Sequence, residues 1–146
     1  MEPDNQETMI RDILKTTQTI AMVGASSKPD RPSHDVMAFL QSKGYRVIPV
    51  NPSVAGQTIL GERVYAALSE IPGSFDMVDI FRNSEAAGDV VKEALPLAQD
   101  KNLKTIWMQL GVRNDDAAEQ AASGGLQVIM NRCPKIEYAR LTAELR

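Results

Sequence analysis

Thr19-Ile-Ala-Met-Val-Gly24 is an apolar run without polar alternation, and the Ala25-Ser-Ser-Lys-Pro-Asp-Arg-Pro32 that follows it is a turn rich in serine and proline. A strand apolar on both faces belongs in a parallel sheet covered by helices on each side, because a sheet with one wet face alternates apolar and polar residues. Ser33 then reads as the cap of a helix running through Lys43. Gly44 closes that helix, and Tyr45-Arg-Val-Ile-Pro-Val50 is a second strand ending in Asn51-Pro52. Residues 19–50 therefore hold one βαβ unit, which requires a crossover between parallel strands.

The same punctuation continues outward. Ahead of the unit, Met9, Ile10, Ile13 and Leu14 recur at helical spacing within Glu7 to Lys15, which predicts a leading amphipathic helix behind a polar tail. Beyond it come a short segment at Thr58 to Val64, a helix at Tyr65 to Glu70 and a strand at Phe75-Asp-Met-Val-Asp-Ile-Phe81. Ser84 is the expected cap of a helix from Glu85 that Pro96 kinks or divides. Lys104-Thr-Ile-Trp-Met-Gln109 is the next strand, Asn114 caps a helix through Ala122, and Gly124-Gly125 precede a last strand at Leu126 to Met130. This alternation predicts a Rossmann-like, doubly wound parallel sheet in three αβα layers, spanning residues 1–146 as a single domain.

Composition narrows the function. Of the 146 residues, 43% are hydrophobic and 24% charged, with no apolar run near the ~18 residues a membrane span needs. Met1 to Thr8 is polar and acidic, unlike a signal peptide, so the expected location is cytoplasmic. A formal charge of -3 argues against a nucleic-acid surface, which clusters Lys and Arg. Cys133 is the one cysteine, so no internal disulfide forms, and with His34 alone beside it a zinc site lacks ligands.

Open parallel sheets bind ligands outside the carboxyl ends of their strands, where the connections part to opposite faces. With right-handed crossovers that point falls between the ends of the Thr19 to Gly24 and Phe75 to Phe81 strands, beside the first loop. Amides at the following helix start, with the hydroxyls of Ser26, Ser27 and Ser33, suit a phosphate; the blander reading is a solvated turn with a helix cap. The dinucleotide fingerprint G-x-G-x-x-G is not met, since Gly24-Ala25-Ser26-Ser27-Lys28-Pro29 has only its first glycine. Val50 is followed by Asn51 and Pro52, not by the acid that holds a nicotinamide dinucleotide's ribose. Lys28 and Arg31 instead offer positive charge for a ligand with more phosphates.

At these residues the chain resembles the small CoA-binding proteins that share the fold of the CoA-binding domain of the succinyl-CoA synthetase alpha subunit. The resemblance runs from about Thr16 to Leu141. Its carriers are Ile20-Ala-Met-Val-Gly-Ala-Ser26, Arg31-Pro-Ser-His34, Gly44-Tyr-Arg-Val-Ile-Pro-Val-Asn-Pro52, Asp79-Ile-Phe-Arg82, Trp107-Met-Gln-Leu-Gly-Val112 and Asn131-Arg-Cys-Pro-Lys-Ile-Glu137. It implies a coenzyme A nucleotide over the first loop, with Val50, Asn51 and Pro52 near the adenine and Phe81 and Arg82 approaching from the next strand end. The candidate ligand residues are then Gly24, Ala25, Ser26, Ser27, Lys28, Arg31, Ser33, Val50, Asn51, Pro52, Phe81, Arg82 and Gln109, the last read from its place near a strand end.

His34 lacks an evident catalytic partner, and Cys133 fits a buried small hydrophobe as well as a reactive thiol. Trp107 and Met108 read as core. Noncatalytic binding of coenzyme A or an acyl-CoA, as a carrier or sensor, therefore asks least of the sequence. The alternatives are an NAD(P)-binding or CoA-thioester enzyme and a ligand-regulated interaction protein. No protein partner, nucleic acid or membrane is indicated.

Overall fold

The structure, a computed structural model, describes residues 5–141; the expected tail at residues 1–4 lies outside them. Helix α1 (Asn5–Thr16) leads into β1 (Thr19–Val23), α2 (Pro32–Ser42) and β2 (Arg46–Val50). A hairpin of β3 (Thr58–Ile59) and β4 (Glu62–Arg63) precedes β5 (Met77–Ile80) and α3 (Ser84–Ala94). Then come α4 (Ala98–Lys101), β6 (Thr105–Met108), α5 (Asp115–Ser123), β7 (Gln127–Ile129) and α6 (Pro134–Arg140). The main sheet has five strands, all parallel, in the order β2-β1-β5-β6-β7.

Period-two alternation sends the two faces of this sheet into two cores. Ile20, Met22, Met77 and Trp107 pack with Ile10 and Ile13 of α1 and Val36, Met37 and Leu40 of α2. Ala21, Val23, Val78, Ile80, Ile106 and Met108 pack with Val90 and Val91 of α3 and Ala117 and Ala121 of α5. The chain thus leaves β1 over one face to reach β2 and leaves β5 over the other to reach β6, so the switch point lies between β1 and β5. Their register, Ile20 opposite Met77 through Val23 opposite Ile80, brings both carboxyl ends level.

Local departures from the sequence reading have physical causes. Residue 33 does not cap α2: Pro32 occupies its first turn, and Arg31, with extended backbone at φ -85° and ψ 141°, is the N-cap without a side-chain cap bond. Asn83, not Ser84, caps α3, its side chain accepting from Ala86 N. The expected helix at Tyr65 to Glu70 shrinks to a 3-10 turn at Leu68–Glu70. Tyr65 is drawn instead onto the free edge of β2, donating from N to Pro49 O at 3.0 Å and accepting from Asn51 N at 2.9 Å. Pro96 sits in a 3-10 turn, Leu95–Leu97, that separates α3 from α4.

Candidate functional site

Gly24 ends β1 at the switch point, and its geometry requires glycine twice over. Its φ is +90°, and a Cβ there would lie 2.3 Å from the Phe81 carbonyl oxygen at the end of β5. Gly24 N donates to Val50 O at 2.9 Å, and Phe81 N donates to Val23 O at 2.8 Å. The ends of β2, β1 and β5 are thereby pinned together, and the chain turns out over them.

The loop that follows is short of internal partners. Ser26 Oγ accepts from Lys28 N at 3.1 Å, and Lys28 O accepts from Arg31 N at 3.0 Å. Arg31 O takes the amides of His34 and Asp35. Pro32 has no N–H, and the Ser26 and Ser27 amides have no backbone partner among the described residues. Asn51 holds the loop from the side, its Nδ2 donating to Ala25 O at 2.8 Å while its Oδ1 accepts from Ser53 N at 2.9 Å.

These segments enclose a pocket of about 380 Å³. Gly24, Ala25, Ser26, Ser27, Lys28, Arg31, Ser33, Asn51 and Phe81 line it together, nine of the sequence candidates in one place. Arg82 and Gln109 lie instead on an adjoining cavity, which shares Pro32 and Phe81 with the first. Val50 points into the core at 3% exposure, and Pro52 opens a 3-10 turn, exposed and off the pocket wall. Ser33 is buried in the first turn of α2 and is among the residues that line the pocket.

Positive charge gathers at this end of the sheet. Lys28, Arg31 and Arg82 are exposed and have no carboxylate partner among the described residues, a condition they share with cations elsewhere such as Lys43 and Lys104, but here two stand on one pocket and the stem of the third reaches beside its floor. The Arg82 stem lies close to Gly24, 3.2 Å from where a Cβ would stand. Three such cations and a glycine-floored turn before a helix start have the chemistry that a small polyanion would need. The opposite end of the sheet has a cleft of about 440 Å³, but its carboxylate, Asp76, is committed to the amides of Gln18 and Thr19.

A model of the CoA-binding domain family matches residues 18–139. The chain belongs to that family. It is similar over 130 residues, at 38% identity, to the uncharacterized protein YneT of Bacillus subtilis strain 168, covering 89% of this chain and 92% of the relative. A hypothetical protein from Pyrococcus horikoshii OT3 superposes with a TM-score of 0.86 at 34% identity, covering 97% of this chain and 99% of the other. The fold also recurs in a dinucleotide-forming acetyl-coenzyme A synthetase of Ca. Korarchaeum cryptofilum, with a TM-score of 0.66 and 22% identity over 82% of this chain and 27% of that one.

Two buried groups carry more than the sequence reading gives them: Asp79 enters it only within a motif of the resemblance, and Gln109 only for its place near a strand end. Asp79 stands in the middle of β5 at 0% exposure, between Met22 and Trp107, and neither carboxylate oxygen has a hydrogen-bond partner. Burial pushes its pKa well above the usual carboxylate range. The signal was one acid inside an otherwise apolar strand, Met77-Val-Asp-Ile80. Gln109 was named, but not for its buried Oε1, which also lacks a partner. Cys133 is buried at 6% exposure on the adjoining cavity, and His34 is half-buried in the first turn of α2. No helix among the described residues is long and apolar enough to cross a membrane, and no cluster among them holds three metal-ligating groups.

Proposed function

We propose that this protein binds coenzyme A or an acyl-CoA across the carboxyl ends of β2, β1 and β5, without catalysis, as a cytosolic carrier or sensor. The observation that carries the reading is the glycine-floored loop pocket lined by Lys28 and Arg31, with the Arg82 stem beside its glycine, three cations without a carboxylate partner among the described residues, in a chain of the CoA-binding domain family. Loop amides would take one phosphate, and the cations would meet the remaining charge, including the extra phosphate on the ribose of coenzyme A. Asn51 would act from behind, holding Ala25 in place and not reaching the ligand with both ends of its amide. Ser33, on the pocket wall, is a further candidate for a phosphate, whereas Val50 and Pro52, which the resemblance puts near the adenine, bring no side chain to that wall.

A nicotinamide dinucleotide is disfavoured on the same geometry. The residue after β2 is Asn51, whose amide is engaged by protein at both ends, so no carboxylate stands there to hold ribose hydroxyls. Titration calorimetry with coenzyme A and NAD at one salt concentration tests the reading. Coenzyme A should bind at least about tenfold tighter, a difference of about 1.4 kcal/mol. Equal or tighter binding of NAD would overturn the assignment.

A further inference from the structure

The polyanion pocket does not end at Phe81. Beyond that ring, at the ends of β5 and β6, opens the second cavity, of about 700 Å³. Val36, Phe81, Val112 and Cys133 line it, and at its rim stand Leu110 and Ile136, exposed at 59% and 51%. Both belong to the few large apolar side chains that the described part of the protein leaves in water. Within this apolar wall sits Gln109, 7% exposed, with its Oε1 unpartnered. A buried carbonyl without a donor is costly, and because this Oε1 is closed to solvent the Gln109 amide meets a ligand N–H only by turning toward the cavity it lines.

Charge sets the orientation of whatever enters. Lys135 and Asp35, which face each other across the cavity from α6 and α2, neutralise one another at 2.7 Å. Unpaired positive charge remains only toward the loop, at Arg82, Lys28 and Arg31, among the described lining residues. The occupant is therefore anionic at the loop end, carries an amide donor along its length and becomes apolar at the far end. The arm of coenzyme A has amide N–H groups but ends in a small thiol, which leaves the apolar wall uncovered. An acyl chain on that sulfur supplies the missing apolar surface.

We infer that this cavity receives the acyl chain of an acyl-CoA, with the Gln109 amide turning to accept from an amide of the arm, so that the protein favours acyl-CoA over free coenzyme A. The inference rests on the coenzyme A reading above. Its test is calorimetry with coenzyme A and its acetyl, butyryl and hexanoyl thioesters against the parent protein, Ile136→Glu and Gln109→Leu. Ile136 is exposed, so its variant keeps the fold even where the Gln109 variant fails. Affinity should rise about threefold to fourfold per added methylene until the cavity is filled. In Ile136→Glu that rise should fall to less than about threefold across the whole series, beyond whatever common factor the added carboxylate costs coenzyme A and its thioesters alike. Coenzyme A binding with a flat series in the parent overturns this inference alone, and so does an Ile136→Glu variant that weakens all ligands by one factor. If neither coenzyme A nor any thioester binds, the coenzyme A reading falls and this inference falls with it.

Discussion

Gly24 and Asp79 lie within one strand pair and show how differently single residues shape the site. Gly24 answers a backbone demand, a positive φ and a close approach to Phe81, and nothing else fits there. Asp79 answers no demand of packing: a leucine would fill the middle of β5 without burying two lone oxygens. Its raised pKa is also a statement about stability. An aspartic acid with a folded pKa above its unfolded value of 3.8 holds its proton in the folded state and loses it in the unfolded state between those two values. Stability therefore falls as pH rises through that window, by about 1.4 kcal/mol per pH unit for this group. Asp79→Asn, neutral at all pH, should be more stable than the parent at pH 8, and the gap should close toward pH 4. Urea unfolding of both proteins across that range checks it. A gap that stays constant with pH would mean Asp79 is not the group responsible.

At the level of elements, what the sequence made legible was what local chemistry decides. The sheet's central strands stand out because they are largely apolar on both faces and end at glycine or a turn residue, as Thr19 to Gly24 does. The helix starts were legible only where one residue dominates. Asn114 was identified as a cap and is one, its Oδ1 accepting from Ala117 N at 2.9 Å. Ser33 and Ser84 were less legible because a stronger neighbour won each time, Pro32 by its preset φ and Asn83 by its better cap geometry. The Tyr65 segment was illegible for another reason, since its pairing to Pro49 and Asn51 depends on β2 already being in place. Asn114 also reaches across elements, donating from Nδ2 to Ser84 O at 2.9 Å, so it ties the start of α5 to the start of α3. Asn114→Ala should therefore cost about 1–2 kcal/mol, the upper part of the range for a lost cap, in equilibrium denaturation. Coenzyme A affinity should not change, because Asn114 lines neither the loop pocket nor the cavity beside it. A cost below about 0.5 kcal/mol would mean the bond between the two helix starts contributes nothing.

For the whole molecule the instructive contrast is between net and local charge. The chain carries a formal -3 and should weakly repel a polyanion, yet three cations with no carboxylate partner among the described residues gather around one switch point. At ~0.1 M salt the Debye length is about 10 Å, so distant acids are screened while the loop would still act on a phosphate held against it. Sheet topology decides this outcome, because β1 and β5 become neighbours only when the crossovers run to opposite faces, bringing Arg82 beside a loop more than fifty residues earlier. That the loop residues share one pocket follows from a single strand-to-helix turn and so is legible in the sequence, whereas the cavity beyond Phe81 depends on β6 and α6 and is not. Lys28 and Arg31 are exposed, so each should contribute less than a buried charge-assisted bond, about 1 kcal/mol or roughly fivefold in affinity. Measuring coenzyme A and dephospho-CoA binding to the parent, Lys28→Ala and Arg31→Ala at low and high salt separates their partners. A side chain on the ribose phosphate should weaken coenzyme A alone, and one on the pyrophosphate should weaken both ligands. Parent affinity should fall as salt rises, and each variant should show a shallower fall, because one phosphate contact fewer is left to screen. If neither substitution weakens either ligand and the salt dependence is unchanged, these cations are ordinary surface charge and the phosphates lie elsewhere.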